Sequence, residues 1–182
     1  MGKYFKLKDL ISYDYKNPTY YALNNYPGID TEYNEDIVQN LKDLMENSID
    51  KIIEKHPNFI LVSAYRSLTL NRMIGGSHDN NHHVKGCAID FKVSEEHTSY
   101  IFNWCIQNLN EWHELMWAYP ERGNKSWIHL SYKKGQNFKR TILASEREDI
   151  HKSYNGERRG LKKEYQEGMQ KQTLYYYTQM KQ

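Results

Sequence analysis

Cysteine is nearly absent: Cys87 and Cys105 are the two in 182 residues, and their separation makes no metal-ligand spacing motif. They read as small buried apolar side chains. Long apolar runs are missing too. With no stretch of eighteen such residues, neither a membrane-spanning helix nor a membrane partner is expected. The opening MGKYFKLKDL lacks the apolar core of a secretory signal, which predicts cytoplasmic synthesis without an export signal. Its Met1-Gly2 start does not make a myristoylation site, because Lys6 stands where that motif needs Ser or Thr. Charge of one sign is also lacking: the formal net charge is +2 and no basic stripe forms, so nucleic acid is not an expected partner.

What is present suits one main domain, long enough to bury a core without disulfides. Sixteen tyrosines in a chain of mean hydropathy −0.92 require exposed tyrosines or a polar appendage. Tyr4 to Leu10 reads as a short amphipathic entry, and Ile11 to Thr31 as a loop laid on the core by its tyrosines. From Glu35 to Lys55 apolar residues recur at three and four (Ile37, Leu41, Leu44, Met45, Ile49, Ile52, Ile53), which predicts a helix. His56-Pro57 ends it, with His56 read as a cation at the helix C-terminus. Phe59 to Tyr65 is a β-rich run that delivers Arg66 to a turn and a short helix closed by Gly75-Gly76. Glu95 to Leu109 is expected as a second helix. Glu111 to Tyr119 and Ser126 to Tyr132 are expected as antiparallel strands joined by a turn-rich link, with a further strand at Phe138 to Ala144. The predicted class is α+β: a small, mostly antiparallel sheet with flanking helices and a metal site on its open face.

The metal expectation starts from Gly75 to Val93, GGSHDNNHHVKGCAIDFKV. If the chain turns at Gly86 and then extends, Ala88 and Asp90 share a face, and His83 can swing over it. Cys87 alternates to the opposite face and is not expected to ligate. Imidazole and carboxylate are both zinc ligand types, and a third protein ligand would leave a position open for water. His129, within Trp127-Ile128-His129-Leu130-Ser131-Tyr132, is the candidate third ligand. Taken alone, it would read as a core histidine satisfied by a backbone carbonyl. His78 and His82 are read as solvent-exposed loop residues and His113 as an ordinary sheet residue.

His83, Asp90 and the Trp-x-His strand occur together with Ser63-Ala64-Tyr65-Arg66-Ser67, Asn71-Arg72 and Gly75-Gly76-Ser77, in order. Over roughly residues 3 to 144 this set resembles the zinc D,D-carboxypeptidase and L-alanoyl-D-glutamate endopeptidase family of cell-wall enzymes, in its phage endolysin branch. The resemblance implies the Hedgehog/DD-peptidase fold, a Zn2+ cofactor held by His83, Asp90 and His129, and hydrolysis of bacterial peptidoglycan stem or crossbridge peptides. It implies that Arg66 anchors substrate or an oxyanion, with Asn81 and Trp127 as further substrate-binding groups. The general base is the missing part. Relatives carry a Glu three residues before the last His or at the end of the preceding strand, where this chain has Ser126 and Ala118. Glu121, in the link between the two strands, is the candidate base, and Glu114 the second.

The expected division is residues 1–144 as the zinc peptidase-like domain and 145–182 as a polar extension. That extension ends near Leu174-Tyr175-Tyr176-Tyr177, a composition suited to docking on a partner such as a virion protein. Two function classes stay open: a phage-encoded zinc peptidase acting at the cell wall, and a catalytically impaired virion component of the same fold that uses its tail for assembly.

Overall fold

The computed structural model describes residues 2–11, 35–73, 81–94 and 98–144. Residues 12–34, 74–80 with His78, 95–97 and 145–182 lie outside the described residues, and so do the expectations attached to them. After α1 (Leu7–Ile11), the apolar repeat forms α2 (Glu35–Leu44), a π turn (Met45–Ile49) and α3 (Asp50–Lys55) as one run. Leu41, Leu44, Met45, Ile49, Ile52 and Ile53 are all buried, so the side that the sequence marks as apolar is the side that packs. His56 closes the run, its N–H donating to Ile52 O, and its ring packs edge-on to Tyr100 and Trp104. It is buried at the end of the run and not exposed at the helix rim.

Five strands follow: β1 (Phe59–Ser63), β2 (Ala88–Val93), β3 (Glu114–Ala118), β4 (Trp127–Ser131) and β5 (Arg140–Ala144). The short helix α4 (Leu68–Met73) lies between β1 and β2, and α5 (Thr98–Asn108) between β2 and β3. The sheet order is β1-β2-β4-β3-β5, with β5 parallel to β3 and every other pairing antiparallel. This is the expected α+β, mostly antiparallel arrangement. β1 is two residues shorter than its apolar run, because Ala64 and Tyr65 leave the ladder and Tyr65 N–H donates to Leu10 O. The link between β3 and β4 is a 3-10 turn, Pro120–Lys125.

Alternation divides the sheet into two faces. Ile89, Phe91, Leu115, Ile128 and Leu130 point inward and form one apolar cluster with the α2–α3 run and with Ile101 and Cys105 of α5. Asp90, Glu114, Met116, Trp127 and His129 alternate to the other face and are only partly buried. Among the described residues no helix is long and apolar enough to cross a membrane.

Candidate metal centre

β2 and β4 pair so that Asp90 lies directly opposite His129, which puts the carboxylate and the imidazole on the same open face. β3 pairs on the other side of β4, with Met116 opposite His129 and Glu114 one diagonal step away, opposite Ser131. His83 arrives from a tight turn ahead of β2, where Gly86 N–H donates to His83 O and Cys87 N–H to His82 O. Gly86 has φ +68, and a Cβ there would stand 2.7 Å from Ile37 O. Only glycine therefore lets this turn lie against α2.

Two hydrogen bonds hang His83 on the chain leaving β1. Its Nδ1 lies 2.6 Å from Ala64 O, and its own carbonyl accepts Arg66 N–H at 3.3 Å. The Ser-Ala-Tyr-Arg segment thus supplies a backbone cradle for the histidine as well as the Arg66 side chain. Because a carbonyl can only accept, His83 Nδ1 carries the proton, and Nε2 is left with its lone pair facing the open side. Burial pushes the His83 imidazole below its ordinary pKa, and Asp90 only partly offsets this, which favours the neutral ring that a metal ligand needs.

Nε2 of His83, Oδ1 of Asp90 and Nδ1 of His129 converge. The separations are 3.3 Å for His83–Asp90, 3.2 Å for His83–His129 and 2.8 Å for His129–Asp90. A tetrahedral zinc with bonds of about 2.0–2.1 Å needs its ligand atoms about 3.3–3.4 Å apart, so the three atoms already form one face of such a site. His129 Nδ1 faces a carboxylate oxygen, which can only accept, so a cation held by Nδ1 would take the place of a proton there. Burial acts against the Asp90 carboxylate, but the imidazoles of His83 and His129 outweigh it and hold the carboxyl well below its ordinary range.

Arg66 reaches the same place from β1, with Nη2 3.7 Å from Asp90 Oδ2, on the side away from the imidazoles' shared oxygen. Asn81 is used within the loop: Nδ2 donates to Asn71 Oδ1 at 2.7 Å, and Oδ1 accepts Val84 N–H at 2.9 Å. Trp127 lies on the same face as His129, half-buried, with its ring against Tyr119, over which the Arg122 guanidinium packs. Glu121 falls in the 3-10 turn, and its side chain lies outside the described residues. Ser126, at one usual position of the base, donates its hydroxyl to Gly123 O and accepts from Thr98 Oγ1 at 3.0 Å, which holds the turn together.

Three residues near the site went unread in the sequence or were read otherwise. His82 is not solvent-exposed: it packs between His113 and His129, and burial takes its pKa down to about 3. Its Gly- and Asn-rich surroundings in sequence suggested a loop in water, whereas the fold sets the His82 ring against His113 and His129. Glu114 sits beside His129, with Oε1 4.0 Å from His129 Nε2, and is tied by Oε2 to Arg140 Nη1 at 3.3 Å. Strand alternation puts Glu114 on the face of Met116, but nothing local says that β5 returns parallel to β3 and sets Arg140 opposite Glu114. His82, Glu114 and His129 form a second group whose donor atoms lie within 4.8 Å of one another, looser than the first.

No curated protein matches the chain. The family model of peptidase M15 matches residues 22–131, more than half of the chain and a narrower span than the motifs suggested, yet one that contains His83, Asp90 and His129. Peptidases of this family are zinc-dependent, and the donor set on the open face, two imidazoles and a carboxylate around one point, is of the type zinc takes. The chain belongs to the peptidase M15 family.

Proposed function

We propose that this protein is a zinc-dependent peptidase that cleaves peptide bonds of bacterial peptidoglycan, is encoded by a phage, and acts at the cell wall in lysis or from the virion. The observation that carries this reading is the convergence of His83, Asp90 and His129 within a chain of the M15 family. When bound, zinc would supply a Lewis acid and an acidified water. The protein's own groups do the rest. His83, fixed by Ala64 O, presents Nε2, and Asp90 brings the negative charge that favours a cation. Arg66, beside Asp90 and largely buried, offers a planar fork suited to a substrate carboxylate or peptide oxygen. Trp127 on the same face gives a flat apolar wall for the stem or crossbridge peptide, while Asn81 braces the loop that carries His83. Glu121 is proposed as the proton acceptor, because it lies in the link that joins β3 to β4, the strand that carries His129.

A second reading, a virion component that keeps the fold and docks through residues 145–182, is favoured by Ala118 and Ser126 standing where relatives carry the catalytic Glu. One experiment separates the two: metal analysis of the purified protein, paired with digestion of peptidoglycans of several crossbridge types. One zinc per chain with release of new amino termini supports the peptidase. A zinc-loaded protein inert on every type supports the virion component. Glu121→Gln then tests the base, and an undiminished rate dismisses it. Arg66→Ala is expected to leave zinc stoichiometry at one while weakening substrate capture, seen as a raised KM. Loss of metal together with activity would make Arg66 structural.

A further inference from the structure

Glu114 is a largely buried carboxylate that the scheme above leaves unused, and its two oxygens are divided. Oε2 faces Arg140 Nη1 at 3.3 Å, while Oε1 faces His129 Nε2 at 4.0 Å. Neither neighbour is accidental. Register sets Glu114 diagonally from His129 across β3 and β4, within reach of a long side chain, and the parallel β5 sets Arg140 directly beside Glu114.

His129 Nδ1 lies 2.8 Å from Asp90 Oδ1, a carboxylate oxygen that can only accept, so Nδ1 carries a proton toward it, while Nε2 and Glu114 Oε1, 4.0 Å apart, are not hydrogen-bonded. A cation held by Nδ1 takes the place of that proton, and in a neutral ring the remaining proton must then reside on Nε2, aimed at Glu114. A histidine that ligates a metal almost always donates its other N–H to a carboxylate, a carbonyl or water, and this donation fixes the ring and raises its basicity.

Resting on the zinc reading of the site, we propose that Glu114, anchored by Arg140, is the positioning residue that accepts the Nε2 proton of His129 when Nδ1 holds the metal. Closing the gap needs about 1 Å of movement by Oε1 to reach hydrogen-bond distance. A rotation about the terminal carboxylate bonds supplies this while Oε2 stays with Arg140. The Arg140 ion pair also argues against Glu114 as ligand of a second cation in the looser His82 group, since a guanidinium already occupies that side.

The test is zinc affinity of the full chain, measured by chelator competition on wild type, Glu114→Gln and Glu114→Ala. It is paired with 15N chemical shifts of the His129 ring before and after zinc. Gln keeps the shape and a weaker acceptor, so a folding failure in the Ala variant does not remove the test. The expected result is a loss of about 10- to 100-fold in affinity for Ala and a smaller loss for Gln, the range found when outer partners of metal ligands are removed. His129 Nε2 should also become the protonated nitrogen when wild type takes up zinc. Equal affinities in all three proteins overturn the proposal and leave the zinc reading standing. Absence of zinc uptake by wild type overturns both. A second zinc equivalent that disappears in Glu114→Gln would make Glu114 a ligand, and undiminished zinc affinity with lost hydrolysis would make it the base; either result overturns the positioning role.

Discussion

The two faces of one sheet contrast more sharply than any two separate parts of this protein. β2 and β4 supply both faces from alternate residues. Ile89, Phe91, Ile128 and Leu130 are buried against the helices, while Asp90 and His129, each next in sequence, converge with His83 on the open side. The inner face supplies stability through apolar burial, which has no preferred direction and tolerates similar shapes. The open face supplies chemistry through ligand atoms held to tenths of an ångström. Such positions hold because the backbone ladder beneath them is anchored from the other side. Rigid strands are what hold such a three-atom convergence.

The comparison can be broken with neighbouring residues. His129→Ala is expected to weaken zinc affinity by more than the roughly 100-fold that loss of an outer partner costs, because it removes a ligand. Leu130→Ala, one residue on and fully buried, is expected to keep one zinc per chain but to lower unfolding free energy by about 2–5 kcal/mol. Metal stoichiometry and denaturant midpoints on both variants check this. If His129→Ala destabilised the apoprotein as much as Leu130→Ala does, the division between faces would fail.

A smaller effect is expected at the hinge between the faces. Gly86→Ala forces a side chain into the left-handed region at φ +68 and against Ile37 O, 2.7 Å from the new Cβ. The conformational part alone costs about 1–2 kcal/mol, and the contact adds to it. Since the turn carries His83, zinc affinity should fall along with stability, unlike in Leu130→Ala. Thermal melts with and without zinc measure both.

A further expected effect concerns pH. His82 is held neutral by burial, with its pKa brought from 6.5 down to about 3. The unfolded chain therefore binds a proton at His82 that the folded chain refuses between those values. Stability from this group is complete above pH 6.5 and is lost as pH falls from 6.5 towards 3. His82→Gln should flatten that part of the apoprotein's stability–pH curve. A slope identical to wild type would mean that His82 opens to solvent.

Much of this was legible in the sequence because the signals are local. The period of three and four gives the long helix, and alternation puts Asp90 opposite to Cys87 and in line with Ala88. Gly86 marks the turn that brings His83 over the strand. Those same local rules place Glu114 on the face of Met116 but cannot say what lies across from it. A partner across a sheet is set by strand order and register, which depend on how the whole chain packs. β4 lies between β2 and β3, and that alone brings Asp90 and Glu114 to the two ring nitrogens of His129. β5 runs parallel to β3, and that alone gives Glu114 its arginine. His82 shows the same limit: its sequence neighbours are those of a solvated loop, and only the tertiary fold lays it against His113 and His129 and half-buries it. The sequence by itself determined which side chains of each strand share a face and which residue types are available to hold zinc. The tertiary structure decided which of them meet, because sheet pairing joins residues far apart in the chain and no short-range preference encodes that choice.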